Sequence, residues 1–312
     1  MKTILFKTII IAFFVGTAVS CSDEDENRFR PGSTHEKPNP TEPEGGLDYS
    51  KLTADNHPRL LMNAEAFTAL KAKVDANSSA NLTLLHNTIM GVCNSKGMNA
   101  TALTYKLDAS NKRILDVSRD ALLRIFTCAY AYRMTGDAMN AVCNFPDWNS
   151  KRHFLDVGEM ATAVAFGYDW LYNELSAATR TKAANALLKF AFQQAQNKNW
   201  NLNFYEATNN WNQVCNGGLV CAALASYENN PSEAKDMIEK ALESNKPALE
   251  VMYSPDGNYP EGSGYWCYGT LYQVLMLAAL NSTLGTDNGL SDTPGFSKTA
   301  EYMLYMTGLN SK

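Results

Sequence analysis

Apolar residues recur every three or four positions along most of this chain, and this helical spacing constrains the fold more than any other feature. Turn signals such as Asn229-Asn230-Pro231 separate the periodic segments, and Ser176 and Ser232 are residue types typical of helix starts. No series of segments alternates with the period of two expected of strands. The pattern predicts an all-α domain of stacked helical hairpins, with helices over 67–74, 116–134, 157–175, 177–196, 219–227, 232–252 and 271–284.

The first 50 residues differ in composition from the rest. Lys2 and Lys7 give the chain a positively charged start, and an apolar run over 8–19 follows that is too short to span a bilayer, as in an export signal. Ala18-Val19-Ser20-Cys21 has the form of a lipoprotein cleavage box, so residues 1–20 are predicted to be a signal peptide and Cys21 to carry lipid. Ordinary signal-peptide cleavage near the same point is the alternative. These features predict an exported outer-membrane lipoprotein at the cell surface or in the periplasm.

Residues 21–50 are rich in Pro, Glu, Asp and Gly, so they bury too little apolar surface to fold and are predicted to be a flexible linker. Residues 51–312 are long enough for one large domain. The formal net charge of −5 at pH 7 gives no electrostatic support for binding nucleic acid.

The sequence predicts neither a metal centre nor a cofactor. No two cysteines have CxxC spacing, which argues against a zinc or redox site. His153, Asp156 and Glu159 stand at three-residue steps, but a helix start with Asp156 near the N-terminal end explains them better than metal binding.

Two clusters of amides, aromatic residues and glycines stand out within the large domain. The first is Asn209-Asn210-Trp211-Asn212-Gln213-Val214-Cys215-Asn216-Gly217-Gly218. The second is Asp256-Gly257-Asn258-Tyr259-Pro260-Glu261-Gly262-Ser263-Gly264-Tyr265-Trp266-Cys267-Tyr268-Gly269. We expect Gly217-Gly218 to form a tight turn into a helix that begins near Leu219.

These clusters hold the groups that β-elimination on a uronic acid requires. The reaction removes the proton at C5 and expels the oxygen at C4, so the carboxylate must be neutralised while a base and an acid act. Asn212 is the candidate for neutralising the carboxylate, with Asn210 and Asn216 as alternatives, although helix capping explains these amides equally well. Tyr265 is the candidate base and acid, and Tyr268 is the next choice.

Other side chains of the two clusters suit the binding of a sugar chain. Trp211, Tyr259 and Trp266 have rings that stack on sugars, and packing between helices is the alternative for each ring. Glu261 is a candidate for orienting the tyrosine, binding a sugar hydroxyl or capping the next helix. Asp169 is a candidate either for the cleft or for a buried, hydrogen-bonded position.

Several stretches together resemble the heparinase II/III-like polysaccharide lyases. They are His57-Pro58-Arg59-Leu60-Leu61-Met62, the blocks within 118–137 and 154–172, and the motifs around Asn212 and Tyr265. The resemblance covers roughly residues 55–310. It implies an incomplete (α/α) toroid followed by a β-sandwich domain, and a lyase that acts on heparin, heparan sulfate, alginate or a related uronic-acid glycan. By the motif match, Asn212 neutralises the carboxylate and Tyr265 serves as acid or base.

The sequence differs from the pattern of that family in two features. The chain ends at Lys312 without a β-sandwich, so we expect a C-terminally truncated toroid domain whose isolated activity is open. Family members often use a further catalytic histidine, but neither motif contains one of the histidines, which are His35, His57, His86 and His153.

Two other classes of function are compatible with the same residues. A non-catalytic surface lipoprotein that binds acidic polysaccharide needs only the aromatic rings and amides. A toroidal glycoside hydrolase needs two carboxylates that flank the scissile bond, for which Asp169, Asp256 and Glu261 are the candidates. The sequence leaves the sugar, its sulfation and the choice between endo and exo action open.

Overall fold

The computed structural model describes residues 46–98, 102–109, 111–135, 143, 145–197 and 203–306. Within these ranges the regular secondary structure is helical and no strand is present, which confirms the predicted all-α class. None of the described helices combines the length and apolar character needed to cross a membrane. The predicted signal peptide and the lipidated Cys21 lie outside the described residues, as does nearly all of the predicted linker.

The helices follow one another in this order. The first half of the chain forms α1 (Ala64–Asp75), α2 (Ala80–Val92), α3 (Leu115–Thr135), α4 (Phe154–Trp170) and α5 (Ala177–Leu187). The second half forms α6 (Asn210–Ser226), α7 (Pro231–Tyr253), α8 (Ser263–Leu284) and α9 (Thr299–Met306). π-Helical turns over Cys93–Met98 and Leu188–Phe192 follow α2 and α5, and Gln193–Ala195 completes the second of these extensions. Each segment predicted from periodicity is at least partly helical, whereas α2 and α9 were not predicted.

Short polar side chains and glycine define several helix ends. Asn63 caps α1 and Ser176 caps α5, each accepting a hydrogen bond from a backbone N–H of the first turn. Asn209 caps α6 in the same way, with the N–H of Trp211 donating at 3.0 Å. Gly285 ends α8 with a φ of 73°, a left-handed conformation in which glycine has no steric penalty.

The helices α3 and α4 pack side by side and run in the same direction. Near their N-terminal ends the Ser118 hydroxyl donates to the carbonyl oxygen of Asp156 at 3.1 Å. Farther along both helices, in the middle of α3 and near the C-terminal end of α4, the rings of Phe126 and Phe166 lie 5.1 Å apart. The helices α6 and α8 continue this row, because α6 packs on α4 and α8 packs on α6.

Glycines allow α4, α6 and α8 to approach one another closely. A Cβ atom added to Gly218 would lie 2.2 Å from the carbonyl oxygen of Gly158, and one added to Gly217 would lie 2.8 Å from that of Tyr272. The prediction that Gly217-Gly218 turn into a helix near Leu219 is therefore wrong. Both glycines lie inside α6, where they remove side chains that would separate the helices.

Burial separates the helices into an inner row and an outer set. Every residue of α6 except Trp211, and every residue of α4 except Gly167, is buried. The helix α7 instead buries one stripe with three- and four-residue spacing, as expected of a helix that covers the row from outside. The N-terminal ends of α4 and α6 lie at the same end of this row, with Gly158 beside Val214.

Candidate functional site

A cavity of about 320 Å³ lies beside the N-terminal ends of α4 and α6. This volume is at the lower end of the range of small-molecule sites, which is about 300–1,000 Å³. The loop before α4 contributes Lys151, Arg152 and His153, and the start of α6 contributes Asn209 and Trp211. The lining contains two exposed cationic side chains and no acidic residue, so it favours an anionic ligand.

His153 is held in the cavity wall by a buried carboxylate. Its Nδ1 lies 2.7 Å from Oδ1 of Asp156, which is fully buried. Asp156 Oδ2 also accepts bonds from the backbone N–H of Ile114 at 2.8 Å and from the side-chain amide of Asn149 at 2.6 Å. With the Nδ1 proton directed at Asp156, the lone pair of the neutral ring is on Nε2. No described residue hydrogen-bonds to Nε2, so His153 has the arrangement of a general base.

Trp211 connects this histidine to the first sequence motif. Its ring centroid lies 5.0 Å from that of His153, at an interplanar angle of 80°. Trp211 is the one residue of α6 that is partly exposed, so its indole is available to stack on a ligand. Neither sequence motif contains a histidine, so the motifs do not predict this neighbour, although the spacing of His153 and Asp156 at a helix start is visible in the sequence.

The Asn212 and Asn216 amides, which were predicted to bind a carboxylate, hydrogen-bond instead to other residues in the protein interior. Asn212 is fully buried, and its amide donates to Ser244 Oγ at 2.9 Å and to the Phe204 carbonyl at 3.1 Å. Its oxygen accepts from the side-chain amides of Asn216 and Asn245 at 3.1 and 3.0 Å. Asn216 is buried as well and donates to Ser244 Oγ at 3.0 Å. In this arrangement both amides join α6 to α7 and neither lines the cavity.

Asn210 and Glu261 tie the two sequence motifs together. The backbone N–H and the side-chain amide of Asn210 donate to the two carboxylate oxygens of Glu261 at 2.7 and 2.8 Å. The helix α8 begins after Gly262. The Glu261 carboxylate therefore accepts hydrogen bonds from the first residue of α6 and does not cap α8. This pair holds the segment that leads into Tyr265 against the end of α6 that carries Trp211.

The two candidate tyrosines occupy different environments. Tyr265 lies in the first turn of α8 and is 54% exposed. Tyr268 is buried, and its hydroxyl donates to Glu159 Oε1 at 2.6 Å, an oxygen to which Arg119 Nε also donates at 3.0 Å. Burial and the Glu159 charge raise the pKa of Tyr268 well above its usual value. Tyr268 therefore keeps its proton at neutral pH, which makes it a poor base in this arrangement.

The remaining aromatic candidates pack in the interior. Tyr259 donates to Gln213 Oε1 at 2.6 Å, and Trp266 Nε1 donates to Thr299 Oγ1 at 2.7 Å. Both rings are buried, so they hold the second motif against α6 and α9, and neither lines the cavity.

Asp169 lies away from the cavity, near the C-terminal end of α4. It is fully buried, and its carboxylate accepts bonds from the backbone N–H groups of Arg59 and Leu60 and pairs with His57. Of the two positions that the sequence allows for Asp169, the structure has the buried, hydrogen-bonded one.

Comparisons with known proteins add nothing to this geometry. Neither the protein-family models that were scanned nor the curated proteins that were searched include a match to this chain. The resemblance to heparinase II/III-like lyases therefore stays a prediction. Across the described ranges, no group of three or more His, Cys, Asp or Glu side chains is arranged to hold a metal ion.

Proposed function

We propose that this protein binds an acidic polysaccharide in the cavity beside His153 and Trp211 and cleaves it by β-elimination. The observation that carries the proposal is the His153–Asp156 pair in a cavity wall that also contains two cations and an indole ring. We extend the proposal to the fold. The row of α3, α4, α6 and α8, covered by α7, is compatible with the inner and outer layers of an incomplete (α/α) toroid.

The cations supply the charge that elimination needs. The C5 proton of a uronic acid is weakly acidic because the adjacent carboxylate is already negative, so positive charge beside that carboxylate lowers the barrier. Lys151 and Arg152 are exposed at the cavity, whereas Asn212 is buried and bonded within the protein. We therefore assign the neutralisation of the carboxylate to Lys151 and Arg152, and a supporting role under the site to Asn212.

His153 is the proposed base. Nε2 takes the C5 proton, the C5–H electron pair forms the C4–C5 double bond, and the bond from C4 to the leaving oxygen breaks. Asp156 stabilises the imidazolium that results, and its bond to Nδ1 keeps the ring in the orientation that faces the sugar. Trp211 stacks on the sugar ring and fixes C5 beside Nε2.

Tyr265 is the proposed proton donor to the leaving oxygen. Tyr265 is not among the residues that line the cavity, but it is exposed, and Glu261, four residues earlier, is bonded to Asn210, which precedes Trp211. Tyr268 is less suited to this role because its hydroxyl already donates to Glu159.

The proposal is tested by ultraviolet-detected elimination on a panel of heparin, heparan sulfate and alginate. An unsaturated uronate product absorbs in the near ultraviolet, so a rise in absorbance is expected on one substrate. Removal of the base in His153→Gln is expected to lower the rate roughly 100-fold or more. His86→Gln, on α2 and outside the cavity lining, is the matched control and is expected to keep the rate.

The other outcomes separate the competing functions. Shortened chains without new absorbance would mean hydrolysis, which is the reaction of a glycoside hydrolase. Binding in affinity electrophoresis without any product would mean a glycan-binding protein. A fully active His153→Gln variant would remove His153 from the mechanism.

A further inference from the structure

A second cavity of about 560 Å³ lies next to the first. The two cavities share the loop residues Ser150, Lys151 and Arg152, so one surface runs from Trp211 on one side of the loop to Lys189 and Phe190 on the other. This second cavity lies beside the residues that precede α4 and the π-helical turn that follows α5.

The lining of the second cavity is also cationic. Lys151, Arg152 and Lys189 contribute positive charge, whereas Asp147 is the one acidic lining residue. Asp147 Oδ1 already accepts a bond from the Tyr105 hydroxyl at 2.9 Å and another from a backbone N–H at 2.8 Å. The loop is held in place because Arg152 Nη1 donates to the Asn111 carbonyl at 2.9 Å. The net field of the lining therefore favours an anion.

Neutral groups complete the lining in a way that suits a sugar. Tyr105 is partly exposed, and burial together with the hydrogen bond to Asp147 raises the pKa of its phenol to about 12. The phenol therefore stays neutral and does not repel an anionic ligand. In the same lining the Ser150 hydroxyl donates to Gln194 Oε1 at 3.4 Å, and the Gln194 amide donates to the Lys189 carbonyl at 3.0 Å. The Ser150 oxygen can still accept a hydrogen bond from a sugar hydroxyl.

We propose that the second cavity is an additional subsite, which binds the next uronic-acid residues of a chain whose reacting sugar lies beside His153. This inference rests on the proposed function, because it takes the ligand to be an acidic polysaccharide. The shared cations of the loop then contact the chain at the junction of the two cavities, and Lys189 contacts it only when the chain is long enough to cross the loop.

The test compares the affinities of disaccharides and hexasaccharides from heparin and from alginate by isothermal titration. Lys189→Gln is expected to weaken hexasaccharide binding about two- to fivefold, as for the loss of one exposed ion pair, and to leave disaccharide binding unchanged. Lys182 is a second exposed lysine, which lies on α5 and outside the cavity lining, so Lys182→Gln is the matched control and is expected to change neither affinity.

The possible failures are distinguishable. Hexasaccharides that bind no more tightly than disaccharides, or a Lys189→Gln variant that binds hexasaccharides as the wild type does, would overturn the subsite and leave the proposed function standing. A wild-type protein that binds no acidic oligosaccharide would overturn the proposed function, and the subsite with it.

A second inference rests on a different observation. Cys93 and Cys128 are buried with their sulfur atoms 3.2 Å apart, where the π-helical turn after α2 meets α3. We infer that these cysteines form a disulfide when the protein folds in the presence of a disulfide oxidant such as oxidised glutathione. Two thiols give up two protons and two electrons to form the bond, and glutathione disulfide takes them up to become two glutathione thiols. Burial raises the pKa of the Cys128 thiol to about 12, so the folded protein reacts slowly.

This second inference is tested by refolding the protein with glutathione disulfide, blocking the remaining thiols and mapping the peptides by mass spectrometry. A linked peptide pair containing Cys93 and Cys128 is expected, together with the loss of two free thiols relative to the reduced protein. The Cys93→Ser variant is expected to lack that pair and to keep Cys128 as a free thiol. Both cysteines blocked as free thiols after refolding would overturn the inference.

Discussion

Individual side chains at the end of α6 separate into those that support the site and those that line it. Asn212 and Trp211 are adjacent in sequence, yet one is fully buried and the other is partly exposed on the cavity. Because successive residues of a helix point about 100° apart, neighbours in a motif lie on different faces. The face of the helix, rather than membership of the motif, decides which residue meets a ligand.

The buried Asn212 is expected to contribute to the stability of the fold rather than to contact the substrate. Asn212→Ala would remove one of the two acceptors of each side-chain amide of Asn216 and Asn245. The bonds to Ser244 Oγ and Gln273 Oε1 would remain. Buried donors that lose a partner cost about 1–3 kcal/mol, so the free energy of unfolding in urea is expected to fall by that order. A variant with wild-type stability and no elimination would instead return Asn212 to direct contact with the substrate.

Substitution of Tyr265 is expected to affect turnover, whereas substitution of Tyr268 is expected to affect stability. Tyr265→Phe removes an exposed hydroxyl and is expected to abolish elimination while unfolding and glycan binding stay unchanged. Tyr268→Phe removes a bond to the buried Glu159 and is expected to lower the free energy of unfolding by about 1–3 kcal/mol. Turnover by each variant is compared with urea unfolding of the same preparation. Full turnover by Tyr265→Phe would exclude it as the proton donor.

At the scale of elements, α6 is the helix around which the others are organised. It packs against α4 and α8 through faces that contain glycine, and against α7 through buried amides. Glycine within a helix costs up to about 1 kcal/mol relative to alanine, so the pair Gly217-Gly218 by itself favours a turn. The close approach of the neighbouring helices outweighs that cost.

Substitution of one of these glycines tests the packing. In Gly218→Ala the added methyl group would meet the Gly158 carbonyl oxygen at 2.2 Å, so we expect a loss of about 1–3 kcal/mol in the free energy of unfolding. Gly91→Ala on α2 is the matched control, because nothing lies within 4 Å of its added Cβ. The control is expected to be neutral or to gain up to about 1 kcal/mol. Equal stabilities for the two variants would contradict the close approach of α4 and α6.

At the scale of the whole molecule, a segment before α1 fastens the C-terminal ends of three helices. Arg59 donates from its side chain to the carbonyl oxygen of Leu224 on α6, and its own carbonyl accepts from Ser282 on α8. Its backbone N–H donates to Asp169 on α4. His57 and the Arg59 guanidinium both pair with Glu228, which follows α6. These contacts join the C-terminal ends of α4, α6 and α8, at the end of the helices opposite the cavity.

The pairing of Glu228 with His57 and Arg59 predicts that the protein loses stability in acid. Burial opposes ionisation of Glu228, but the hydrogen bond from His57 and the charge of Arg59 outweigh it and lower its pKa to about 2 from 4.5. Because the folded-state pKa is depressed, the stabilisation is complete above pH of about 4.5 and is lost as the pH falls toward about 2. Urea unfolding over this range is expected to show a shallower acid loss in Glu228→Gln than in the wild type.

Glu239→Gln is the matched control for this pH dependence. Glu239 is an exposed residue of α7 whose carboxylate lies 3.7 Å from Lys235, and an exposed pair of this kind contributes little to stability. The control is expected to follow the wild-type curve. A Glu228→Gln variant that loses stability in acid as steeply as the wild type would show that the pairing of Glu228 does not produce the effect.

The sequence by itself determined the helical class and most helices, because apolar spacing and caps such as Ser176 act locally. It also identified Trp211, the one predicted site residue that lines the cavity. Only the tertiary structure decided that Asn212 is buried and that His153 lies beside Trp211, 58 positions later in the numbering. Burial and proximity depend on how α4, α6 and α7 pack, and that packing depends on contacts between residues distant in sequence, which no local pattern specifies.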